Sequence, residues 1–158
     1  MKIETFDLTT IEKGIIVHQC NCYTMGAGLA KALYTKWPVV RRRFLYDTSK
    51  KNGVDILGSY DIVPATPTVT VVNAYTQLEY GRDGKRYTDY GAMKMAFSSL
   101  RLATYPDTHF NPPRLNPDHK FYFPYLYGCG LGGGDVKIVH SIIEKYFPDA
   151  ILVKNPND

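Results

Sequence analysis

Apolar residues fall at two alternating spacings along the chain. Residues 14–18 form a β-branched run, and its near-continuous apolar face predicts a strand buried on both sides, as in the middle of an α/β sheet. In residues 27–37 the apolar positions are Leu29, Ala30, Leu33, Tyr34 and Trp37, which make one helical stripe. Pro38 closes that helix and suits the first turn of another over residues 39–50. Residues 59–64 and 68–75 read as strands on either side of the turn Ala65-Thr66-Pro67. Asp89 caps a predicted helix reaching about residue 104, with Met93, Ala96, Phe97, Leu100 and Ala103 on its core side. Residues 120–126 form another strand, and Val136, Val139, Ile142, Ile143 and Phe147 make the last helical stripe. Residues 150–153 form a closing strand. At the start, residues 2–7 alternate as a first strand with Ile3 and Phe6 inward, before a turn at 7–10. Strands alternating with helices predict a three-layer α/β/α sandwich, with no repeat and no domain boundary over residues 1–158. Two stretches break the pattern. Residues 76–88 are polar, charged and glycine-punctuated, and residues 105–119 hold Pro106, Pro112, Pro113 and Pro117, which makes them a functional rim or a disordered loop.

Composition narrows the setting. A chain of 158 residues buries a core without disulfides. No apolar run approaches the roughly 20 residues a membrane span needs. The first ten residues lack the apolar centre of a signal peptide, so we expect a cytoplasmic protein with no membrane association. Cys20, Cys22 and Cys129 are an odd set, which fits reduced thiols. Three sulfurs without a well-placed fourth ligand make a poor zinc pattern, so no metal and no cofactor are expected. A net charge of +4 suits a small anionic ligand, whereas nucleic-acid binders concentrate more charge on one face. Arg41-Arg42-Arg43 reads as a solvated helix face.

The candidate chemistry lies in two glycine loops. Met25-Gly26-Ala27-Gly28 follows the strand at 14–18 and opens a helix, and residues 128–134 (GCGLGGG) follow the strand at 120–126 and open another. Glycines let backbone N–H groups approach an anion, and a helix N-terminus adds unpaired donors and partial positive charge. Two such units suggest one ligand with two phosphates, or a phosphate and a sugar, between them. Known cradles fit badly. Residues 26–31 lack the GxxxxGK of a P-loop. Residues 128–133 satisfy GxGxxG, but the chain is nearly finished there and Asp149 precedes the closing strand rather than ending it, as the acid of that fingerprint would. The lysine strand and catalytic loop of a kinase are absent.

The stretches VHQCN…MGAGLAKAL and YGCGLGGGD together resemble the macro domain family. Within it they are most similar to the yeast-type ADP-ribose 1''-phosphate phosphatases with their small phage and bacterial relatives, and to the terminal ADP-ribose protein glycohydrolase. Asp7-Leu8-Thr9 resembles the family's Gly-Asp-Ile-Thr turn, with Phe6 in place of the Gly. The resemblance implies a sandwich around a central mixed sheet. It implies adenine at Asp7 and Leu8. It places the distal ribose and a phosphate at Gln19, Cys20, Asn21, Met25, Gly26, Gly28 and Leu29, and the diphosphate at Gly128, Cys129, Gly130 and Leu131.

Three residues are candidate catalytic groups. His18 matches the histidine that the yeast-type phosphatases share, for acid–base work on a departing phosphate; its other reading is a hydrogen-bonded core residue. Asn21 orients the ribose or a water, or shapes its turn. Asp135 activates a water, caps the last helix, or does both. There are departures too. The lysine nucleophile and the acid of the glycohydrolase branch fall at Gln77 and Gly132, and the Asp of the mono-ADP-ribosyl hydrolases falls near Ala30. Lys85 and Asp83 are a spare lysine and acid in the 76–88 loop. The function expected from the resemblance is hydrolysis of ADP-ribose 1''-phosphate to ADP-ribose. The alternatives are a non-catalytic ADP-ribose reader and a hydrolase acting on ADP-ribosylated protein or nucleic acid. A monomer is expected.

Overall fold

The computed structural model describes residues 1–106 and 112–157, so part of the proline-rich stretch expected at 105–119 lies outside the described residues. Six strands form one sheet in the order β1-β6-β5-β2-β4-β3. They are β1 (Lys2–Thr5), β2 (Gly14–Asn21), β3 (Tyr60–Pro64), β4 (Val69–Gln77), β5 (Phe121–Pro124) and β6 (Ile151–Lys154). All neighbours run parallel except the antiparallel pair β3–β4, which makes the sheet mixed. The helices among the described residues are α1 (Gly28–Lys36), α2 (Val39–Lys50), α3 (Gly53–Ile56), α4 (Tyr90–Leu102) and α5 (Val136–Tyr146). None is long and apolar enough to cross a membrane.

Side chains that alternate across the pleat divide the core in two. Ile15 and Val17 of β2 join Val72 and Ala74 of β4 on the side covered by α4 and α5. Ile16, Val71 and Tyr75 face the opposite side, with Leu33 of α1 and Val40 and Phe44 of α2. These are the three layers expected. On the α4–α5 side the Phe97 ring lies 5.4 Å from Phe123, 5.5 Å from Tyr127 and 5.8 Å from Phe147. That cluster anchors Tyr127, the residue from which the second glycine loop departs.

The structure corrects three expectations. β1 is exposed at all four positions and Ile3 is 55% exposed, because the strand is an edge with no layer over it. Phe6 lies beyond that strand, half-buried and edge-on to Tyr122 at 6.0 Å. β5 stops at Pro124, since the chain turns there: Tyr127 N–H donates to Pro124 O at 2.9 Å and Cys129 N–H to Leu126 O at 2.8 Å. α3, capped by the Asn52 side chain, is one turn long and too short to leave a 3.6-residue pattern. The arginine run is held locally, with Arg43 3.0 Å from Asp47 and Arg41 5.5 Å over the Tyr34 ring.

Candidate functional site

In a parallel sheet all strand C-termini share one edge, and ligands bind beyond it. Here the ends of β1, β6, β5 and β2 open onto a cavity of about 850 Å³, near the upper end of the roughly 300–1,000 Å³ usual for ligand pockets. Both glycine loops line it. Ala27 to Ala30 come from the first and Gly128, Gly130, Leu131 and Gly132 from the second.

Each loop presents unpaired donors. α1 starts at Gly28, and its N-cap, Ala27, has no side chain to bond the first turn, so the N–H groups of Gly28, Leu29 and Ala30 have no acceptor among the described residues. In the second loop the N–H groups of Cys129, Gly133 and Gly134 are bonded to Leu126, Gly130 and Gly128 carbonyls. Those of Gly128, Gly130, Leu131 and Gly132 have no acceptor among the described residues. The glycines fall into two sets. A Cβ on Gly28 or Gly130 would meet nothing within 4 Å, so it would stand in open space, and Gly28 has a φ of +60° besides. A Cβ on Gly132 would lie 2.6 Å from Thr88 Oγ1, and one on Gly134 2.7 Å from Gly128 O. The first set leaves room for a ligand; the second lets the loop pack on its support.

At the other end, Asp7 caps a 3₁₀ turn at Leu8–Thr10. Its Oδ1 accepts from Thr9 N at 2.9 Å and Thr9 Oγ1 at 2.8 Å, and these bonds hold its carboxyl below the usual carboxylate range. Oδ2 has no donor among the described residues and belongs to a cavity-lining side chain. The cavity is therefore lined by a charged acceptor at one place and by clustered backbone donors at another.

No protein-family model matches the sequence, and no curated protein matches it significantly. Solved structures do match. A Bacteroides thetaiotaomicron protein of unknown function superposes with a TM-score of 0.74 at 24% identity, over 98% of each chain. The macrodomain of Mycobacterium tuberculosis DarG gives 0.70 at 17% identity, over 98% of this chain and 97% of that one. Thermosipho africanus DarTG, solved in complex with ADP-ribose, gives 0.70 at 15% identity over 98% of this chain and 42% of the other. The fold is that of a macrodomain.

Within this macrodomain fold, Asp7, Leu8, His18, Gln19, Gly28, Leu29, Gly128, Gly130 and Leu131 line the cavity. Six of the residues expected at the ligand do not. Cys20 and Met25 are buried in the core on the α1–α2 side, Cys20 with its Sγ 3.7 Å from His18 Nε2. Asn21 spends its Oδ1 on the N–H groups of Tyr23 at 2.9 Å and Thr24 at 2.8 Å, which is a turn-forming role. Gly26 lies beside the cavity without lining it. Cys129 turns its Sγ to Tyr127 O at 3.1 Å. Asp135 is exposed outside the cavity and caps α5, accepting from Lys137 N at 2.8 Å.

Burial raises the thiols of Cys22 and Cys129 to about 11 and that of Cys20 further, so none is a thiolate at neutral pH. Among the described residues no three His, Cys, Asp or Glu side chains converge to hold a metal. Gln77, where the glycohydrolase lysine would fall, is buried; its Oε1 accepts from Gln19 and its Nε2 donates to Glu79 O at 2.7 Å. Lys85 and Asp83 pair at 3.7 Å on an exposed segment and do not line the cavity.

His18 is 2% exposed, and its Nε2 bonds Asn73 Oδ1 at 2.6 Å. Asn73 is itself fixed by its Nδ2, which donates to Val40 O at 3.2 Å. An oxygen facing the ring makes Nε2 the donor, so this nitrogen carries the proton. Burial pushes the imidazole pKa down to about 4, and the ring is neutral at neutral pH.

Sequence reasoning missed Phe6, Tyr125, Lys154, Asn155 and Pro156, which also line the cavity. They carry no motif. The signal that finds them is topological: β6 lies between β1 and β5, so whatever follows it must border the same edge.

Proposed function

We propose that this chain binds ADP-ribose and does not turn it over. The observation that carries the reading is the joint presentation, in one cavity, of two groups of unpaired backbone N–H donors and the half-free carboxylate of Asp7. The donors suit the oxygens of a diphosphate, and Asp7 Oδ2 suits an exocyclic amine such as that of adenine. A protein of similar fold solved in complex with ADP-ribose supports the choice. The carboxylate, imidazole and amine groups lining the cavity are those of Asp7, His18 and Lys154 alone among the described residues. Asp7 is held as an acceptor at the nucleoside end in this reading, and Asp135 lies outside. Titration calorimetry should give saturable one-to-one binding of ADP-ribose, and an assay with ADP-ribose 1''-phosphate should release no phosphate. Absence of binding overturns the reading.

A second reading, hydrolysis of the terminal phosphate of ADP-ribose 1''-phosphate, is favoured by the placement of His18 in the cavity wall. Its neutral ring would act as a base of low strength rather than as an acid. Phosphate release by the wild type that disappears in His18→Gln, with ADP-ribose affinity kept, would establish this reading over the first.

A further inference from the structure

Beneath the second glycine loop lies a set of hydrogen bonds whose every direction is fixed. Gln77 Nε2 donates to Glu79 O, which can only accept, so Gln77 turns its Oε1 toward Gln19. That makes the facing atom of Gln19 its Nε2, whose two hydrogens go to Gln77 Oε1 at 2.8 Å and Thr88 Oγ1 at 3.0 Å. Gln19 Oε1 then accepts the single hydroxyl hydrogen of Thr76 at 2.8 Å. Thr76, having given its hydrogen, must accept from Tyr127 OH at 2.8 Å. Thr88, having accepted from Gln19, gives its hydrogen to Gly128 O at 2.6 Å. Tyr127 and Gly128 are adjacent, so the relay leaves the glycine loop, crosses β4 and β2, and returns to the loop one residue later.

The relay is well supported and mostly buried, with Gln19 half-buried at the cavity wall. Thr76 is fully buried, Thr88 is 2% exposed and Tyr127 1%. Gly128 O also accepts from Gly134 N at 2.8 Å, and Gly132 O accepts from the N–H groups of Tyr87 at 2.7 Å and Thr88 at 2.9 Å. The carbonyls of Gly128 and Gly132 are thus held on the side of the loop away from the open cavity, while the N–H groups of Gly130 and Leu131 have no acceptor among the described residues.

We propose that Thr88 is a positioning residue for the phosphate end of the ligand, acting by closing this relay onto Gly128 and so fixing the donor face of the second loop before anything binds. The proposal rests on the reading of the cavity as an ADP-ribose site. It predicts a role for a threonine that does not itself line the cavity and lies 40 residues from the loop it orders. Preset donors avoid the ordering cost of binding, so losing the relay weakens the complex without removing a ligand contact.

The test compares Thr88→Val with Thr88→Ser. Valine keeps the branched shape and removes the hydroxyl; serine keeps the hydroxyl. Thr88→Val should bind ADP-ribose about tenfold more weakly, and Thr88→Ser should stay within about threefold of wild type, the range one net hydrogen bond spans. A ligand-free readout accompanies them: the Gly134 N–H, which shares Gly128 O with Thr88, should exchange with solvent faster in the valine variant than in the serine one. If Thr88→Val does not fold, Tyr127→Phe removes the first donor of the relay and should show the same two effects in smaller measure. Wild-type affinity in Thr88→Val, or equal loss in both variants, overturns the proposal. A wild type that fails to bind ADP-ribose, with Gly134 exchange still responding to the hydroxyl, refutes the ligand assignment and leaves the relay standing.

Discussion

His18 and the loop glycines are where the largest local effects are concentrated. Below an ordinary histidine value of 6.5 the unfolded chain takes up a proton at His18, whereas the folded chain resists until about pH 4. The unfolded state therefore binds more protons across that window, and stability must fall as pH falls through it, being fully present above 6.5. The difference in unfolding free energy between wild type and His18→Gln should shrink by up to about 3 kcal/mol from pH 6.5 to pH 4, measured by urea denaturation. Parallel profiles for the two proteins would mean that the ring is not buried as a neutral group. The glycines separate folding from binding. Gly130→Ala puts a methyl into open cavity space and should lower ADP-ribose affinity with little change in melting temperature. Gly132→Ala drives its methyl against Thr88 Oγ1 and Gly128 O, and should cost roughly 1–3 kcal/mol of stability. Reversal of that pattern would show that the two sets of glycines have been exchanged.

Two helix N-termini make the contrast between structural and binding roles at the level of the element. α5 is capped by Asp135, whose Oδ1 takes the Lys137 and Ile138 N–H groups. α1 has only Ala27, in an extended conformation that suits a capping residue, and leaves its first N–H groups to the cavity. Asp135→Ala should lose about 1 kcal/mol of stability and leave ADP-ribose affinity unchanged. Ala27→Asp should gain about 0.5–1 kcal/mol and weaken ADP-ribose binding by repulsion and by occupying the donors; calorimetry and thermal melts check both. Most of these elements were legible in sequence. Each predicted stripe lies on a helix or at its C-cap. Leu33, Trp37, Met93 to Ala103 at the expected positions, and Val139 to Phe147 at theirs are buried, while Leu29, Ala30, Tyr34 and Val136 are half-buried. Both glycine loops were legible as turns that leave a strand and open a helix, and both do line the cavity. The relay through Thr88 was not, since it joins residues up to 69 positions apart and depends on which way two amides point. That Cys20 and Asn21 do not line the cavity was not legible, since a motif does not say that Cys20 packs into the α1–α2 core or that Asn21 spends its Oδ1 on its own turn.

On the proposed reading, the whole molecule shows how a chain with a net charge of only +4 would hold a doubly anionic ligand. Lys154 is the one lysine or arginine lining the cavity among the described residues, and the donors of the two glycine loops are peptide groups placed by topology. Parallel strands bring four C-terminal ends to one edge, and β6, inserted between β1 and β5, puts the nucleoside end next to the phosphate end. Convergence of the two glycine loops on a single ligand is the property on which binding, specificity and the Thr88 proposal all depend. An ADP-ribose titration followed through backbone amide resonances of the isotope-labelled chain tests it most directly. The amides of Gly28, Leu29, Gly130 and Leu131 should move together along one saturation curve, with those of Lys137 and Ile138 at the capped start of α5 unmoved. Shifts confined to one loop, or to residues away from the cavity, would contradict it.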